Sequence, residues 1–310
     1  MENRDTYVRK LEEEMKITNK YNLPTTIADA LATSQARYSK GDAWMSVTGL
    51  QKPPRIGLLS KKNWRNMEED VSDAVWKLLG SAIHTVLEDG DAGSNAIIKE
   101  ERLFMGVLGQ QISGAVDIQE ITDFGIEVMD YKYTTCRSVM PNSFVLSSWT
   151  EQLNAYAALI EENKGLPVTK LSVLAILKDH NKKQARLRDD YPAAPMVEVE
   201  IDVWSKEQRL AWLESRVHAH LGAELSLSTL DMLPLCTDEE RWKRGDKWAV
   251  KSSPKGRAQP GGIFDNEEDA QKFKGDNAKW VIEHRPAEPV RCQDHCEVAK
   301  FCTQYKEQRQ

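Results

Sequence analysis

Asp130 and Lys132, a carboxylate and an amine two residues apart, lie in a segment that begins at Gly125. Successive side chains of a β-strand point to opposite faces, so these two residues share a face. Asp117 lies near the end of the preceding strand-like segment and comes within reach of Asp130 if the two segments form a hairpin. Two carboxylates at the end of a hairpin are a site for a hard cation, magnesium or manganese. Lys132 cannot bind a metal while protonated, so it would orient a water nucleophile or balance charge on a pentacovalent phosphate.

These residues also have a plain structural explanation. In it, Asp117 and Asp130 cap the ends of strands, and Lys132 pairs with one of them, because ion pairs are frequent in sheets. Neighbouring motifs therefore have to decide between a catalytic and a structural role.

Two further motifs space polar residues four apart, which places each set on one face of a helix. His84 follows Gly80 and precedes Glu88 at this spacing, and the glycine predicts close approach of a strand to the imidazole. An imidazole beside two carboxylates suits a site that accepts manganese. Gln152 and Tyr156 form the second motif and would project an amide and a phenol together. The structural alternatives are a histidine packed in the core and a helix with Gln152 exposed.

Hydrophobic periodicity predicts the elements that position these residues. Apolar residues recur at helical spacing over residues 25–38, 70–88, 147–161 and 205–225. Strand patterns cover residues 96–108, 111–119, 125–133, 170–177 and 196–203. This order predicts an α+β fold, a central mixed sheet flanked by helices, in which the first strands form antiparallel hairpins rather than crossovers.

Taken together, the four motifs resemble the RecB-like branch of the PD-(D/E)XK nuclease superfamily. They are Gly80-x-x-x-His84, Gly114-x-x-Asp117, Asp130-x-Lys132 and Gln152-x-x-x-Tyr156. The resemblance is strongest over residues 70–180 and implies a restriction-endonuclease-like core. The metal ligands that it implies are His84, Asp117, Asp130 and the carbonyl of Tyr131. It also implies that Lys132 is the catalytic lysine, and that Gln152 and Tyr156 contact DNA and support the active site.

The C-terminal cysteines resemble a second feature of this superfamily. Cys292, Cys296 and Cys302 are separated by three and five residues. This spacing resembles the C-terminal cysteine cluster of iron–sulfur members, which include helicase–nuclease subunits and CRISPR adaptation exonucleases. The resemblance implies a structural iron–sulfur cluster in addition to catalytic magnesium or manganese.

The fourth ligand of such a cluster departs from the pattern of those members. They usually take their first cysteine from upstream of the histidine motif, where this chain has none. Cys236 is the predicted fourth ligand, and Cys136 is the less favoured choice because it lies next to the active-site strand. Zinc with His295 or His284 is an alternative, and buried free thiols are another.

A basic segment lies between these cysteines. Residues 241–257 contain seven lysines and arginines but one acid, with Trp242 and Trp248 interleaved. Such a segment can follow a phosphate backbone and stack bases, so Lys243, Arg244 and Lys247 are candidate DNA-binding residues. A second basic run covers residues 178–188. The structural alternative for both is a solvated face.

Composition limits the remaining possibilities. The chain has 310 residues and a net charge of −6, so any DNA site must be a local basic patch. No apolar stretch approaches the ~20 residues that a membrane helix needs, and the charged N-terminus predicts a cytoplasmic protein without a membrane partner.

We expect an N-terminal helical extension over residues 1–60, with a solvated helix over residues 1–20. A nuclease core over residues 61–230 and a basic, cysteine-bearing segment over residues 231–310 should follow.

The combined expectation is a metal-dependent DNA nuclease that hydrolyses phosphodiester bonds. It would be an exonuclease or end-processing enzyme of recombination, repair or phage DNA replication. One alternative is a structure-specific or restriction-type endonuclease with the same core, and the other is a catalytically silent DNA-binding module. A silent relative would be expected to lack a ligand or the lysine, whereas this chain retains the whole set. DNA is the expected partner, and a recombination or replication protein would be a further, unidentified one.

Overall fold

Strands and helices alternate along most of the chain. The computed structural model describes residues 16–37, 40–90, 96–140, 143, 145–226 and 233–308. The strands are β1 Lys16–Thr18, β2 Met45–Ser46, β3 Glu68–Asp70, β4 Ile97–Val107, β5 Gln110–Thr122, β6 Gly125–Thr134, β7 Val168–Leu177, β8 Met196–Ile201, β9 Lys243–Arg244, β10 Lys247–Lys251, β11 Ala258–Phe264, β12 Val281–Arg285 and β13 Glu288–Pro289. The α-helices are α1 Thr25–Arg37, α2 Val47–Gln51, α3 Pro54–Asn63, α4 Val75–Asp89, α5 Val145–Lys164, α6 Lys182–Leu187, α7 Lys206–Leu225, α8 Glu267–Lys274 and α9 Thr303–Glu307.

The central sheet is six-stranded and mixed. Its strand order is β2-β5-β6-β7-β8, with β4 paired to β5. Strands β4, β5 and β6 form an antiparallel meander, and helix α5 then connects β6 to the parallel strand β7. The predicted α+β class, with a central mixed sheet flanked by helices, is confirmed.

Strand β5 changes partner along one of its edges. Strand β4 pairs with it along most of its length, so β2 and β6 share the other edge. The described pairs on that edge stop at Ser113 and resume at Ile118. This arrangement leaves an opening in the sheet beside Asp117.

Helix α5 supplies much of the core that supports this opening. Its buried face includes Trp149, Leu153 and Leu159, which pack with sheet residues such as Ile112 and Leu171. Each large apolar side chain that is fully buried contributes about 1.5–3 kcal/mol of transfer free energy. The close-packed core between α5 and the sheet therefore holds the strands around the opening in place.

Helix α4 begins later than its periodicity predicts. The apolar pattern predicts a helix from residue 70, but the helix starts at Val75. The preceding residues, Glu68–Asp70, form β3, which pairs in parallel with β1. The Asp70 carboxylate then accepts hydrogen bonds from the Ser72 backbone N–H and hydroxyl, at 3.1 and 2.7 Å, and so turns the chain.

The N-terminal prediction also needs correction. A solvated helix was expected over residues 1–20, but Lys16–Thr18 is the strand β1 because it pairs with β3. Residues 1–15 lie outside the described residues. None of the helices in the described part of the chain is long and apolar enough to cross a membrane.

The C-terminal part of the chain contains a second, smaller sheet. Strands β10, β11 and β12 form it in the order β11-β10-β12, and helix α8 packs against it. The segment after this sheet returns to α3, where Val298 and Cys302 are buried with Ile56 and Leu59. The Arg55 guanidinium lies in the same region and donates a hydrogen bond to the Leu233 carbonyl at 2.9 Å.

The predicted division into three segments stays a prediction. Strand β2 and helix α2, at residues 45–51, contribute to the central sheet and its core although they precede the boundary at residue 60. The boundary at residue 230 falls among residues outside the described part of the chain.

Candidate active site

Asp117 lies at the opening where β5 passes from β2 to β6. Its carboxylate is mostly buried, and Oδ2 accepts a hydrogen bond from the Tyr131 backbone N–H at 2.8 Å. The last described pair of the hairpin joins Ile118 to Met129, and one further step of that register sets Asp130 opposite Asp117. The two carboxylates therefore face one opening from neighbouring strands.

Glu100 adds a third carboxylate, which the sequence analysis missed. It lies on β4, where the register sets it opposite Asp117, and the described pairing is interrupted at this position. Its φ of 50° is in the left-handed region, which is strained for a residue with a long side chain. Glu100 Oε1 lies 3.4 Å from His84 Nδ1. Its place opposite Asp117 in the hairpin was the only signal that could have revealed it.

His84 reaches the carboxylates from α4. Its Nδ1 lies 3.6 Å from Asp117 Oδ2, and its ring meets the Tyr131 ring edge-on at 6.0 Å between centroids. The strands thus meet the imidazole itself, but none comes close at Gly80, because outside the helix's own backbone no atom lies within 4 Å of the position that a Cβ would occupy there. The described backbone contact of Tyr131 at this site is made by its N–H, so metal binding by its carbonyl stays a prediction.

Asp130 is held by residues of α5 and by Lys132. Gln152 Nε2 donates hydrogen bonds to Asp130 Oδ1 at 3.2 Å and to the Tyr156 hydroxyl at 2.9 Å. The Lys132 ammonium makes an ion pair with Asp130 Oδ2. The alternative that leaves Gln152 exposed is wrong, since Gln152 is buried. A Cβ at Gly114 would come within 2.7 Å of the Tyr156 ring, so this glycine lets the helix approach the strand.

The electrostatics of the site favour a cation. Burial, together with the neighbouring Asp130 charge, raises the pKa of Asp117 to about 7. The hydrogen bond with Glu100 raises the pKa of His84 above its usual value, although burial acts in the opposite direction. Burial also raises the pKa of Tyr156, so its hydroxyl stays protonated. The carboxylates thus repel one another, and a bound cation would relieve this repulsion.

The cleft has donors and space for a divalent metal and a substrate. Ligand atoms of His84, Glu100 and Asp117 lie within 4.8 Å of one another. The surrounding cleft has a volume of about 630 Å³ and is lined by residues of β4, β5 and β6, by α4 and by α5. Carboxylate and imidazole donors beside an open cleft fit magnesium or manganese.

Comparison with known proteins identifies the family of this cleft. The chain matches the PD-(D/E)XK nuclease superfamily over residues 51–303, which include every one of these site residues. The chain belongs to the PD-(D/E)XK nuclease superfamily. No curated protein matches it significantly.

Solved structures show only distant likeness to this superfamily member. A protein named SSO0001 has a TM-score of 0.41 and 17% identity, with 63% of this chain and 84% of that chain covered. A candidate exonuclease from Eubacterium rectale has a TM-score of 0.36 and 9% identity, with 64% and 84% covered.

Membership of the superfamily gives the cleft its chemical context. PD-(D/E)XK nucleases use divalent metals, and the oxygen and nitrogen donors gathered around Asp117 suit such ions. The branch within the superfamily is not decided by the match, so the RecB-like assignment stays a prediction.

The four C-terminal cysteines surround a second, smaller site in this superfamily member. Cys236, Cys292, Cys296 and Cys302 all line one pocket between α3 and the end of the chain. Cys136 lies elsewhere, where its thiol donates a hydrogen bond to the Tyr191 hydroxyl at 3.2 Å. We name the pocket lined by Cys236, Cys292, Cys296 and Cys302 the cysteine pocket.

Charge and burial in the cysteine pocket oppose free thiolates. Burial raises the pKa of Cys236 to about 12, and the nearby Glu240 and the other thiols add to the effect. Three arginines line the pocket, and Arg55 Nε donates a hydrogen bond to Cys302 Sγ at 3.3 Å. Four thiols near several guanidinium groups are a donor set that fits a thiolate-bound metal centre, which the arginines would partly neutralise.

The basic segment that follows Cys236 is less available than its sequence indicates. Lys243 pairs with Asp238 at 3.0 Å, and Lys247 pairs with Asp265. Trp242 packs near Arg291, and the Trp248 ring lies 4.8 Å from that of His284. These ion pairs compete with phosphate for the two lysines, but exposed ion pairs are weak. DNA binding by Lys243, Arg244 and Lys247 therefore stays a prediction.

Proposed function

We propose that the protein is a divalent-metal-dependent DNA nuclease, and that its active site is the cleft around Asp117 and Asp130. The observation that carries this proposal is the alignment of Glu100, Asp117 and Asp130 on three neighbouring strands, with Lys132 against the last of them. His84, Glu100, Asp117 and Asp130 would hold the metal, and the Tyr131 carbonyl would be a further ligand.

Magnesium or manganese, when bound, supplies charge neutralisation for the scissile phosphate and acidifies the attacking water. Residues of the chain set the positions of the other catalytic groups. Gln152 fixes Asp130 through its hydrogen bond, and Tyr156 in turn fixes Gln152. Lys132 lies on the open side of Asp130, where its ammonium would orient the nucleophile and stabilise charge on the phosphate.

We further propose exonuclease or end-processing activity in recombination, repair or phage DNA replication, as the sequence resemblance implies. The test is cleavage of end-labelled linear DNA, compared with closed circular DNA of the same sequence, in magnesium and in manganese. Progressive shortening of linear DNA and intact circles support the proposal. Cleavage of circles would identify an endonuclease, and binding without cleavage of either DNA would identify a silent module.

The cysteine pocket supports a second proposal, a structural iron–sulfur cluster. A tetrahedral zinc site with bonds of ~2.3 Å brings its sulfurs to about 3.8 Å from one another. Among the described residues, no three of these sulfurs gather within 4.8 Å, and the open space between them is about 10 Å³. The sulfurs would therefore move inward to hold zinc, whereas an iron–sulfur cluster, which places iron and sulfide between the thiolates, needs a wider spacing.

Colour and metal content distinguish these two centres. An iron–sulfur protein purified without oxygen should be brown, because iron–thiolate centres absorb visible light. A colourless protein with stoichiometric zinc would replace the cluster by zinc, and a protein without metal in the pocket would leave the cysteines as free thiols.

A further inference from the structure

An exposed tryptophan on α4, the helix that carries His84, has no role in the proposed chemistry. Trp76, on α4, is 55% exposed. The Lys178 ammonium lies 3.9 Å from the centroid of its ring and 5.8 Å from that of Tyr133. Lys178 is itself exposed, and its backbone N–H donates to the Thr134 carbonyl at the end of β6, at 2.9 Å. The aromatic rings and the amine thus form one ordered surface, which we name the tryptophan platform.

The platform is close to the candidate metal ligands along two elements. On β6, Tyr133 follows Tyr131 by two residues, so the two rings share a face, opposite to that of Asp130 and Lys132, and lie about 7 Å apart along the strand. The Tyr131 ring contacts His84. On α4, Trp76 precedes His84 by two helical turns, about 12 Å. His84 connects this face to the cleft, since its Nδ1 lies 3.6 Å from Asp117 Oδ2. The platform therefore lies within a few nucleotides of a phosphate bound beside His84.

Gly80 leaves the surface of α4 uncovered between His84 and Trp76. Gly80 lies between Trp76 and His84 at intervals of four residues, on one row of the helix surface. No atom lies within 4 Å of the position of a Cβ at Gly80. A larger side chain there would stand between the platform and the cleft, so the glycine leaves room for a strand of nucleic acid.

The cations that continue this path are available for phosphates. Helix α6 begins four residues after Lys178 and exposes Lys182, Lys183 and Arg186. Within the described residues, none of these three side chains makes an ion pair, in contrast to Lys243 and Lys247. Exposed cations beside an exposed aromatic ring are the combination that binds single-stranded nucleic acid.

We propose that the tryptophan platform stacks an unpaired base of the DNA strand that occupies the cleft. The base would lie on the Trp76 face that Lys178 does not cover, and Lys178 would contact an adjacent phosphate. The proposal rests on the proposed function and adds a substrate class to it, which is single-stranded DNA or a duplex with an unpaired end.

Binding of a fluorescein-labelled oligothymidylate, measured by anisotropy in EDTA, tests the platform without cleavage. Stacking of one base contributes enough free energy that Trp76→Ala should weaken binding by roughly five- to a hundredfold. Trp76→Phe keeps an aromatic face and should retain most of the affinity. Trp64→Ala is the matched control, because Trp64 is also exposed and also packs with a cation, Arg65, at 5.2 Å. It should bind as the wild type does.

A substrate change separates base stacking from a structural role of Trp76. An oligonucleotide of abasic sites should bind wild type and Trp76→Ala equally, because it offers no base to stack. An equal loss on abasic DNA, or on blunt duplex DNA, would overturn the proposal, and so would unchanged oligothymidylate binding by Trp76→Ala. If Trp76→Ala does not fold, the comparison of Trp76→Phe with Trp76→Leu on the two oligonucleotides decides in the same way.

Cleavage assays on the same proteins keep the two proposals apart. Wild type that cleaves DNA while Trp76→Ala binds normally would overturn the platform alone. Wild type that binds through Trp76 but cleaves no DNA in either metal would contradict the nuclease proposal and leave the platform standing.

Discussion

The cleft around Asp117 and the cysteine pocket both gather potential metal ligands, but they differ in donor chemistry and in access. The cleft presents carboxylates and an imidazole around about 630 Å³ of open volume. The pocket presents thiols around about 10 Å³. Hard oxygen donors suit magnesium and manganese, whereas thiolates suit zinc and iron–sulfur centres.

This difference is the one expected between a catalytic and a structural metal site. Catalytic metal sites keep room for a substrate or a water, and structural sites are closed by protein ligands. The cleft lies where a strand changes partner, so a substrate can approach the carboxylates. The pocket lies where α3 meets the end of the chain, so a metal there would join distant parts of the chain. The two regions should therefore respond to substitution in opposite ways.

The largest expected effect is on cleavage, from substitutions in the cleft. Asp117→Asn and Lys132→Met should each lower the cleavage rate by at least about a hundredfold, because each removes a metal ligand or a charge at the phosphate. The melting temperature of metal-free Asp117→Asn should be unchanged or higher, since burial already disfavours the ionised carboxylate. Rates on end-labelled DNA and thermal melts measure the two effects.

Lys170→Met is a matched control for this prediction. Lys170 also pairs with a carboxylate, Glu198, at 2.8 Å, but on the exposed surface of β7 and β8. Its cleavage rate should equal that of the wild type. Near wild-type turnover in Asp117→Asn or Lys132→Met would place the catalytic site elsewhere.

The cysteine pocket should show the reverse pattern. Cys296→Ser should remove the bound metal and lower thermal stability by several kcal/mol, because metal binding to four thiolates is coupled to folding. Cys136→Ser, outside the pocket, should keep the metal. Metal analysis and thermal melts of the purified variants provide the check. Full metal content in Cys296→Ser would exclude it as a ligand.

Gln152 tests whether the support of Asp130 matters to the cleft. Gln152→Ala removes the hydrogen bond at 3.2 Å and should lower metal affinity or cleavage by roughly 10- to 100-fold. Raising the metal concentration should recover part of the rate, since the ligand itself remains. A rate insensitive to this substitution would assign Gln152 to packing.

Metal binding to the cleft should depend on pH in one direction. The folded-state pKa of Asp117, about 7, lies above its ordinary value of 3.8, so the protonated form is favoured in the metal-free fold below neutral pH. A metal requires the ionised carboxylate, so Asp117 alone should lower the affinity by about tenfold per pH unit below neutrality. Deprotonation of His84, whose pKa is also raised, adds to this slope. Calorimetric titration with manganese between mildly acidic and mildly alkaline pH measures this slope. In Asp117→Asn the contribution of this group should disappear.

The smallest effect is expected from the basic segment near the cysteine pocket. Lys243→Ala, Arg244→Ala and Lys247→Ala together should weaken DNA binding and lower its salt dependence by roughly 0.7–0.9 per lost phosphate contact. The ion pairs of Lys243 and Lys247 compete with such contacts, so fewer than three should be lost. A triple variant that binds DNA as tightly as the wild type does, at low and at high salt, would mark the segment as a solvated face.

The sequence predicts the hairpin carboxylates because their positions follow from local rules. Period-two alternation and a short turn set the register that opposes Asp117 and Asp130. Glu100 was missed because its orientation depends on a left-handed backbone at one position of a third strand. The start of α4 and the ion pair of Lys247 with Asp265 depend on residues distant in sequence, which periodicity does not report.

The most direct test of the distinction between a catalytic cleft and a structural cysteine pocket is to measure manganese binding and DNA cleavage on the same samples of wild type, Asp130→Asn and Cys296→Ser. Asp130→Asn should lose both the manganese of the cleft and cleavage, while its cysteine-bound metal remains. Folded Cys296→Ser should lose the cysteine-bound metal but still bind manganese and cleave DNA. Asp130→Asn that binds manganese and cleaves DNA as the wild type does would contradict the assignment of the active site to the cleft.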